Sequence, residues 1–120
     1  MSRKTSAEIG KAAEDLAYTF LSNEGLKLVT RNYRCRAGEV DLIMLDGQCL
    51  VFIEVRFRSS DRHGTPTETV SSLKRRRIVA AARHFLLRRS VESACRFDVV
   101  ALSGNACREP EWIRDAFRIN

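Results

Sequence analysis

The sequence predicts an α/β fold in which a mixed central β-sheet is flanked by helices. The predicted order is helix, three strands, helix, strand. Three observations predict it. Two long stretches, one near the N-terminus and one around residues 71–89, repeat apolar residues at the helical period. Between them lie consecutive strand-like runs joined by Asp46-Gly47, a strong hairpin signal. A last apolar run, Cys95 to Leu102, follows the second helical stretch.

Thr5-Ser6-Ala7-Glu8 reads as a capping box that starts the first helix. Ile9, Ala13, Leu16, Ala17 and Phe20 form its expected apolar stripe, and Gly25 suits the left-handed position that ends it. Glu14 lies about 100–140° round from the stripe centre, at the edge of the core. Leu26 to Asn32 is a short strand. Gly38 marks a turn, and Glu39 to Leu45 is the next strand. Cys49 to Arg58 should pair antiparallel with it across the hairpin. Ser59 to Thr69, with Gly64 and Pro66, reads as a loop. Ser71 or Ser72 caps a second helix that runs to about Arg89, with Ile78, Ala81, Ala82 and Phe85 as its inward stripe. Trp112 and Phe117 read as core cover, in a tail element of either type.

The 120 residues suit one domain spanning 1–120, with no repeat, linker or low-complexity tract. No apolar run is as long as a membrane span. The N-terminus carries charge but no apolar h-region, so the cytoplasm is the expected compartment. Four cysteines, at 35, 49, 95 and 107, form no CxxC pair, and His63 and His84 complete no zinc spacing. Reduced, partly buried thiols are expected. The net charge is +6, from 21 Lys+Arg against 15 Asp+Glu. That excess favours a polyanionic partner, and arginine, which dominates it, suits phosphate.

The chemistry concentrates on the hairpin. Side chains alternate across a strand, so Glu39 and Asp41 should share one face, and Glu54, Arg56 and Arg58 another. Leu50 and Phe52 precede Glu54 on its face, so this carboxylate interrupts a run that otherwise reads as buried. Burying it requires an answering cation or donor. Arg56 could form an ion pair with it. Alternatively, Asp41 and Glu54 converge from neighbouring strands to hold a divalent ion, with Glu14 as a third oxygen ligand. Lys74 falls on the inward stripe of the second helix, four residues before Ile78. It either snorkels to solvent or points its ammonium at the sheet carboxylates. Arg75, Arg76 and Arg77 crowd the same helix start, where cations oppose the dipole and a phosphate partner would compensate.

Gly38-Glu39-Val40-Asp41-Leu42-Ile43, Val51-Phe52-Ile53-Glu54-Val55-Arg56-Phe57-Arg58, Lys74 and Arg96-Phe97-Asp98-Val99-Val100 together resemble the YraN family of small bacterial proteins. Gly10, Glu14 and Ala17 fit its first helix, and the resemblance runs in order along nearly the whole chain. That family is similar to the PD-(D/E)XK nucleases, and to archaeal Holliday-junction resolvases in particular. The resemblance implies an αβββαβ restriction-endonuclease-like core. It implies Asp41 and Glu54 as Mg²⁺ or Mn²⁺ ligands, the Val55 carbonyl as a further one, and Glu14 as the helix-1 acid. Arg56 stands where the motif lysine belongs, a variant that members of the YraN family also carry. Arginine can stabilise phosphorane charge but is a poor base. The base function then falls to a metal-activated water or to Lys74.

Three readings follow. The first is a metal-dependent endonuclease that hydrolyses phosphodiesters in branched or structured DNA, with Asp41, Glu54, Arg56 and Lys74 in the reaction. The second is a nucleic-acid-binding protein with a degenerate nuclease site. It would bind through Arg34, Arg36, Arg58, Arg62, Arg75 and Arg76, with Arg31 and Arg77 as further contacts. The third is a protein-interaction subunit whose charge serves solubility. Resolvase-like domains act as dimers, which implies a homodimer, although no apolar dimer stripe stands out. Asp98, two residues after Arg96 on one strand face, reads as half of a structural pair.

Overall fold

A computed structural model describes residues 5–58, 70–90, 92–104 and 109–118, with Arg58 described in its backbone alone. The expected loop at 59–69, with Arg62 and His63, and also Cys107 lie outside the described residues. Seven elements follow in order. They are α1 (Ser6–Asn23), β1 (Lys27–Cys35), β2 (Gly38–Asp46), β3 (Cys49–Arg58), α2 (Ser72–Arg89), β4 (Cys95–Ser103) and β5 (Glu111–Phe117). The strands form one mixed sheet in the order β1-β2-β3-β4-β5. The first three pair antiparallel, β3 and β4 pair parallel with α2 as the crossover, and β5 returns antiparallel to β4.

Each helix buries one stripe on one face of the sheet. Ala13, Ala17 and Leu21 of α1 pack with Leu42, Met44, Val51, Ile53, Val100 and Leu102. Ile78, Ala81, Ala82 and Phe85 of α2 pack on the opposite face with Val40, Ile43, Phe52, Phe97 and Val99. The α2 stripe is the expected one. On α1 the expectation errs at Leu16, which is 60% exposed, while Leu21 is fully buried. The contact row on α1 runs i, i+4, i+8, and Leu16 lies one residue short of it. The capping box forms as expected: Thr5 Oγ1 accepts from the Glu8 amide at 3.1 Å, and Glu8 Oε1 accepts from the Thr5 amide at 3.1 Å. Gly25 takes the left-handed conformation, φ 100°, that ends the helix.

Two boundaries differ from expectation, and the tail, open between helix and strand on sequence alone, takes one form. The first strand runs on to Cys35, because Tyr33 and Cys35 pack against the α2-side core while the exposed Asn32 and Arg34 sit on a sheet edge that tolerates polar residues. The tail is a strand, β5. Gly38 is the first residue of β2 rather than a turn, and it is buried against α2. A Cβ at Gly38 would stand 2.6 Å from the Arg77 carbonyl carbon and 2.9 Å from its Cα. Absence of a side chain therefore sets how closely α2 approaches the sheet. Gly38→Ala should lose about 1–3 kcal/mol of stability through overpacking. Urea unfolding measures it, and an unchanged midpoint would show that the helix yields freely.

The three described cysteines, Cys35, Cys49 and Cys95, are free and half-buried. No helix among the described residues is long and apolar enough to cross a membrane.

Candidate active site

The site begins with a break in a strand. The β2–β3 ladder runs from Asp46↔Cys49 to Leu42↔Ile53. One residue further on, Asp41 and Glu54 would oppose each other. Here the side-chain alternation of β2 slips: Val40 packs beneath α2, yet Leu42 packs beneath α1. On β1, Asn32 lies between the partners of Val40 and Leu42, and it takes the left-handed conformation, φ 53°. The Asp41 carboxylate then replaces a missing backbone partner, as Oδ2 accepts from the Val55 amide at 2.8 Å.

Glu54 lies beside Asp41, only 6% exposed, on the α2 face as its alternation with Phe52 requires. Its cation is not Arg56. Lys74 Nζ reaches Glu54 Oε1 at 3.2 Å from the first turn of α2, so the stripe position of Lys74 does point at the sheet carboxylates. Burial pushes the Glu54 carboxyl up from its ordinary 4.5 to about 8, helped by the charge of Asp41 and a hydrogen bond to it. Lys74 pulls the other way. Two carboxylates in contact cannot both ionise cheaply, so near neutrality the pair holds a proton. A divalent cation is the other species that satisfies such a pair.

This gives a pH dependence of known sign. A carboxyl whose folded pKa is raised costs no stability below about 4.5, and its destabilising effect grows as pH rises towards about 8. Glu54→Gln should therefore gain roughly 1–3 kcal/mol over the wild type at pH 8.5 and little at pH 4.5. Unfolding midpoints at the two pH values measure it. An equal difference at both would remove the shared proton from the account.

These groups line an open cleft of about 780 Å³. Asp41, Glu54 and Val55 form its floor, Lys74 one wall, and Lys11 and Glu14 of α1 with Arg31 and Asn32 of β1 the other. Glu14 is not free to join the acid pair. Its Oε1 accepts from Arg31 Nε at 3.1 Å, Arg31 Nη2 at 2.9 Å and Asn32 Nδ2 at 2.9 Å. Arg31 Nη2 also donates to Asp15 at 2.6 Å, holding that carboxyl below its ordinary value. Among the described residues no cluster of three or more Asp, Glu, His or Cys is placed to hold a metal. The acidic oxygens that the cleft brings into contact are thus those of two carboxylates, Asp41 and Glu54, a pair chemically compatible with a hard divalent cation completed by water and phosphate oxygens.

Of the other expected residues, Arg34 lines the cleft and pairs with Glu39 at 3.3 Å. Arg36 is exposed at the β1–β2 turn and Arg56 is half-buried, and neither lines the cleft. Arg75 and Arg76 lie on a different side of α2 from Lys74, along a separate groove with Ser72. The Arg58 side chain and Arg62 lie outside the described residues. Sequence reasoning passed over Lys11 and Asn32 as cleft residues. Lys11 stands three residues before Glu14 on α1, and asparagine is among the few residues that tolerate the left-handed conformation, so both left a signal.

A family model described as "Uncharacterised protein family UPF0102" matches residues 13–102. A UPF0102 protein of Nitrosospira multiformis is 52% identical over 111 residues, covering 92% of this chain and 93% of its own. One from Nitrosomonas europaea is 47% identical over 108 residues, covering 90% and 92%. One from Aeromonas hydrophila is 48% identical over 111 residues, covering 90% and 83%.

Proposed function

The chain belongs to the UPF0102 family, the YraN group, and from that premise and the cleft geometry we propose that it is a metal-dependent endonuclease acting on DNA, branched DNA in particular. One observation carries the reading. Asp41 is fixed on the Val55 amide beside buried Glu54, and Lys74 stands 3.2 Å from Glu54 at the floor of an open cleft. A purely structural Glu54–Lys74 pair would not need a second carboxylate in contact with it.

Asp41, Glu54 and the Val55 carbonyl would hold Mg²⁺ or Mn²⁺. When bound, the ion supplies Lewis acidity for phosphodiester hydrolysis. The chain's own residues do the rest. Glu54 must give up its proton for the pair to act as ligands, so affinity for the ion rises with pH towards about 8. Lys74 stabilises negative charge building on the phosphate. A guanidinium is a poor general base, so Arg56 in the lysine position does not supply that function. Arg31, held by Glu14 and Asp15, keeps a fixed positive charge on the opposite wall.

The test is cleavage of a labelled four-way junction, with duplex and single-strand controls, in Mn²⁺ and then in EDTA. Cutting that needs the metal and is lost in Glu54→Ala is the expected result. Cutting that survives in that variant overturns the proposal. Binding without cutting in any metal selects the degenerate-site reading instead, which Arg56 in the lysine position and the engaged Glu14 would then explain.

A further inference from the structure

A second concavity, of about 620 Å³, runs between α2 and the end of β5. Its charge differs from that of the cleft. The cleft lining balances Lys11, Arg31, Arg34 and Lys74 against four acids. Among the described residues, the groove lining carries Arg75, Arg76, Arg83 and Arg118 and no carboxylate. Arg76 and Arg83 are seven residues apart, so they share one side of the helix. Both are exposed, and neither has an ion pair or hydrogen bond among the described residues. Arg75 is held in place: its Nε donates to the Val70 carbonyl at 3.1 Å, and its guanidinium lies 5.8 Å from the Phe117 ring centroid. Arg118 is oriented by Asp115 at 2.7 Å.

This arrangement is unfavourable for the protein alone. The first turn of α2 has no acidic residue, so its cations face the positive end of the helix dipole without compensation. A row of phosphates would relieve that. Ser72 to Arg83 spans about 16 Å at the helical rise. The phosphates of one duplex strand advance about 3.4 Å each along the axis, so a row of them fits the groove. Among the described residues the groove's one aromatic ring, Phe117, is buried and gives no platform for unstacked bases. We propose that the α2–β5 groove is a second nucleic-acid contact, gripping the sugar-phosphate backbone of a duplex arm without reading its bases. Lys74 faces the cleft and Arg75 and Arg76 face the groove, so one bound molecule would straddle the start of α2.

This inference rests on the preceding reading only in taking nucleic acid as the partner. Fluorescence anisotropy of a labelled 20-base-pair duplex, in EDTA across a salt series, tests it apart from cleavage. The double substitution Arg76→Ala/Arg83→Ala should lower the slope of log affinity against log salt by about 2 and weaken binding about tenfold or more. Arg88→Ala, an exposed arginine lining neither concavity, is the charge control and should change the slope by less than half as much. An unchanged slope in the double variant, an equal loss per residue in the control, or tighter binding of single strands than of duplex overturns the proposal. Absence of any nucleic-acid binding by the wild type overturns both this and the nuclease reading. Wild-type binding without cutting, still weakened by the double substitution, sinks the nuclease reading and leaves the groove standing.

Discussion

Lys74→Met should lower metal-dependent cleavage about 10²–10³-fold, the usual cost of removing one group that stabilises transition-state charge. Arg56→Met should cost much less. The two cations are alternatives for the same role, and geometry separates them. Lys74 lines the cleft and touches Glu54, whereas Arg56, although nearer in sequence, lines no part of the cleft. A second readout separates a chemical role from a loss of fold. Lys74 holds the Glu54 carboxyl down against burial and Asp41. Without Lys74 the Glu54 proton leaves at higher pH, so the rising limb of the pH–rate profile should move to the alkaline side. Lys74→Arg should keep that limb in place while recovering only part of the rate, because a planar guanidinium does not reproduce a compact ammonium. A large loss in Arg56→Met with little in Lys74→Met would return the role to the strand.

The parts of this arrangement that were legible in the sequence are those set by periodicity. The α2 stripe, both helix caps and the hairpin at Asp46-Gly47 follow from local pattern, and the chain adopts them. Glu54 was conspicuous because a carboxylate broke an apolar strand face. Its partner was harder to choose, since Arg56 and Lys74 both satisfied the pattern, and only the approach of α2 to β2 decides between them. That approach depends on Gly38, whose missing side chain looked like a turn signal. Glu14 shows the opposite limit. Its place at the edge of α1 was readable, but its partners depend on how β1 bends. The left-handed Asn32 brings its own amide and the Arg31 guanidinium onto Glu14. Local spacing cannot anticipate a kink on another strand.

Asp98→Ala should destabilise the protein by about 3–5 kcal/mol, the cost of breaking a buried ion pair and orphaning its neighbours. For a chain of this length that lowers Tm by roughly 15 °C. Asp98 is fully buried on β4, and both its oxygens accept from Arg96 Nε at 3.1 Å. Oδ2 also accepts from Trp112 Nε1 at 2.9 Å, and Oδ1 from the Asp115 amide at 2.9 Å. Arg96 Nη2 reaches on to Asp46 at 2.8 Å, so the network ties the β2–β3 hairpin to β4 and β5. Asp98→Asn keeps the shape but presents an N–H to donors, and it should recover less than half of the loss. Thermal melts of the two variants measure this, and a shift under about 4 °C in Asp98→Ala would show that the network is dispensable.

On the proposed reading Asp98 is structural and Asp41 chemical, and their surroundings differ accordingly. Each sits where a ladder breaks, and each accepts a backbone amide there: Val55 for Asp41, and Asp115, in the left-handed conformation at the β4–β5 irregularity, for Asp98. Around Asp98 every further hydrogen-bond partner among the described residues is a donor, so its charge is answered and closed off. Around Asp41 the next neighbour is Glu54, a second carboxyl group, and the cleft is open. The same local device therefore gives a satisfied carboxylate in one place and a carboxyl pair short of positive charge in the other. The Asp41→Asn and Asp98→Asn variants should accordingly diverge. Asp41→Asn removes the repulsion with Glu54, so it should keep or raise thermal stability while abolishing metal-dependent cleavage. Asp98→Asn should lower stability and leave cleavage by the folded fraction intact. A joint loss of stability and activity in both variants would refute this division of roles.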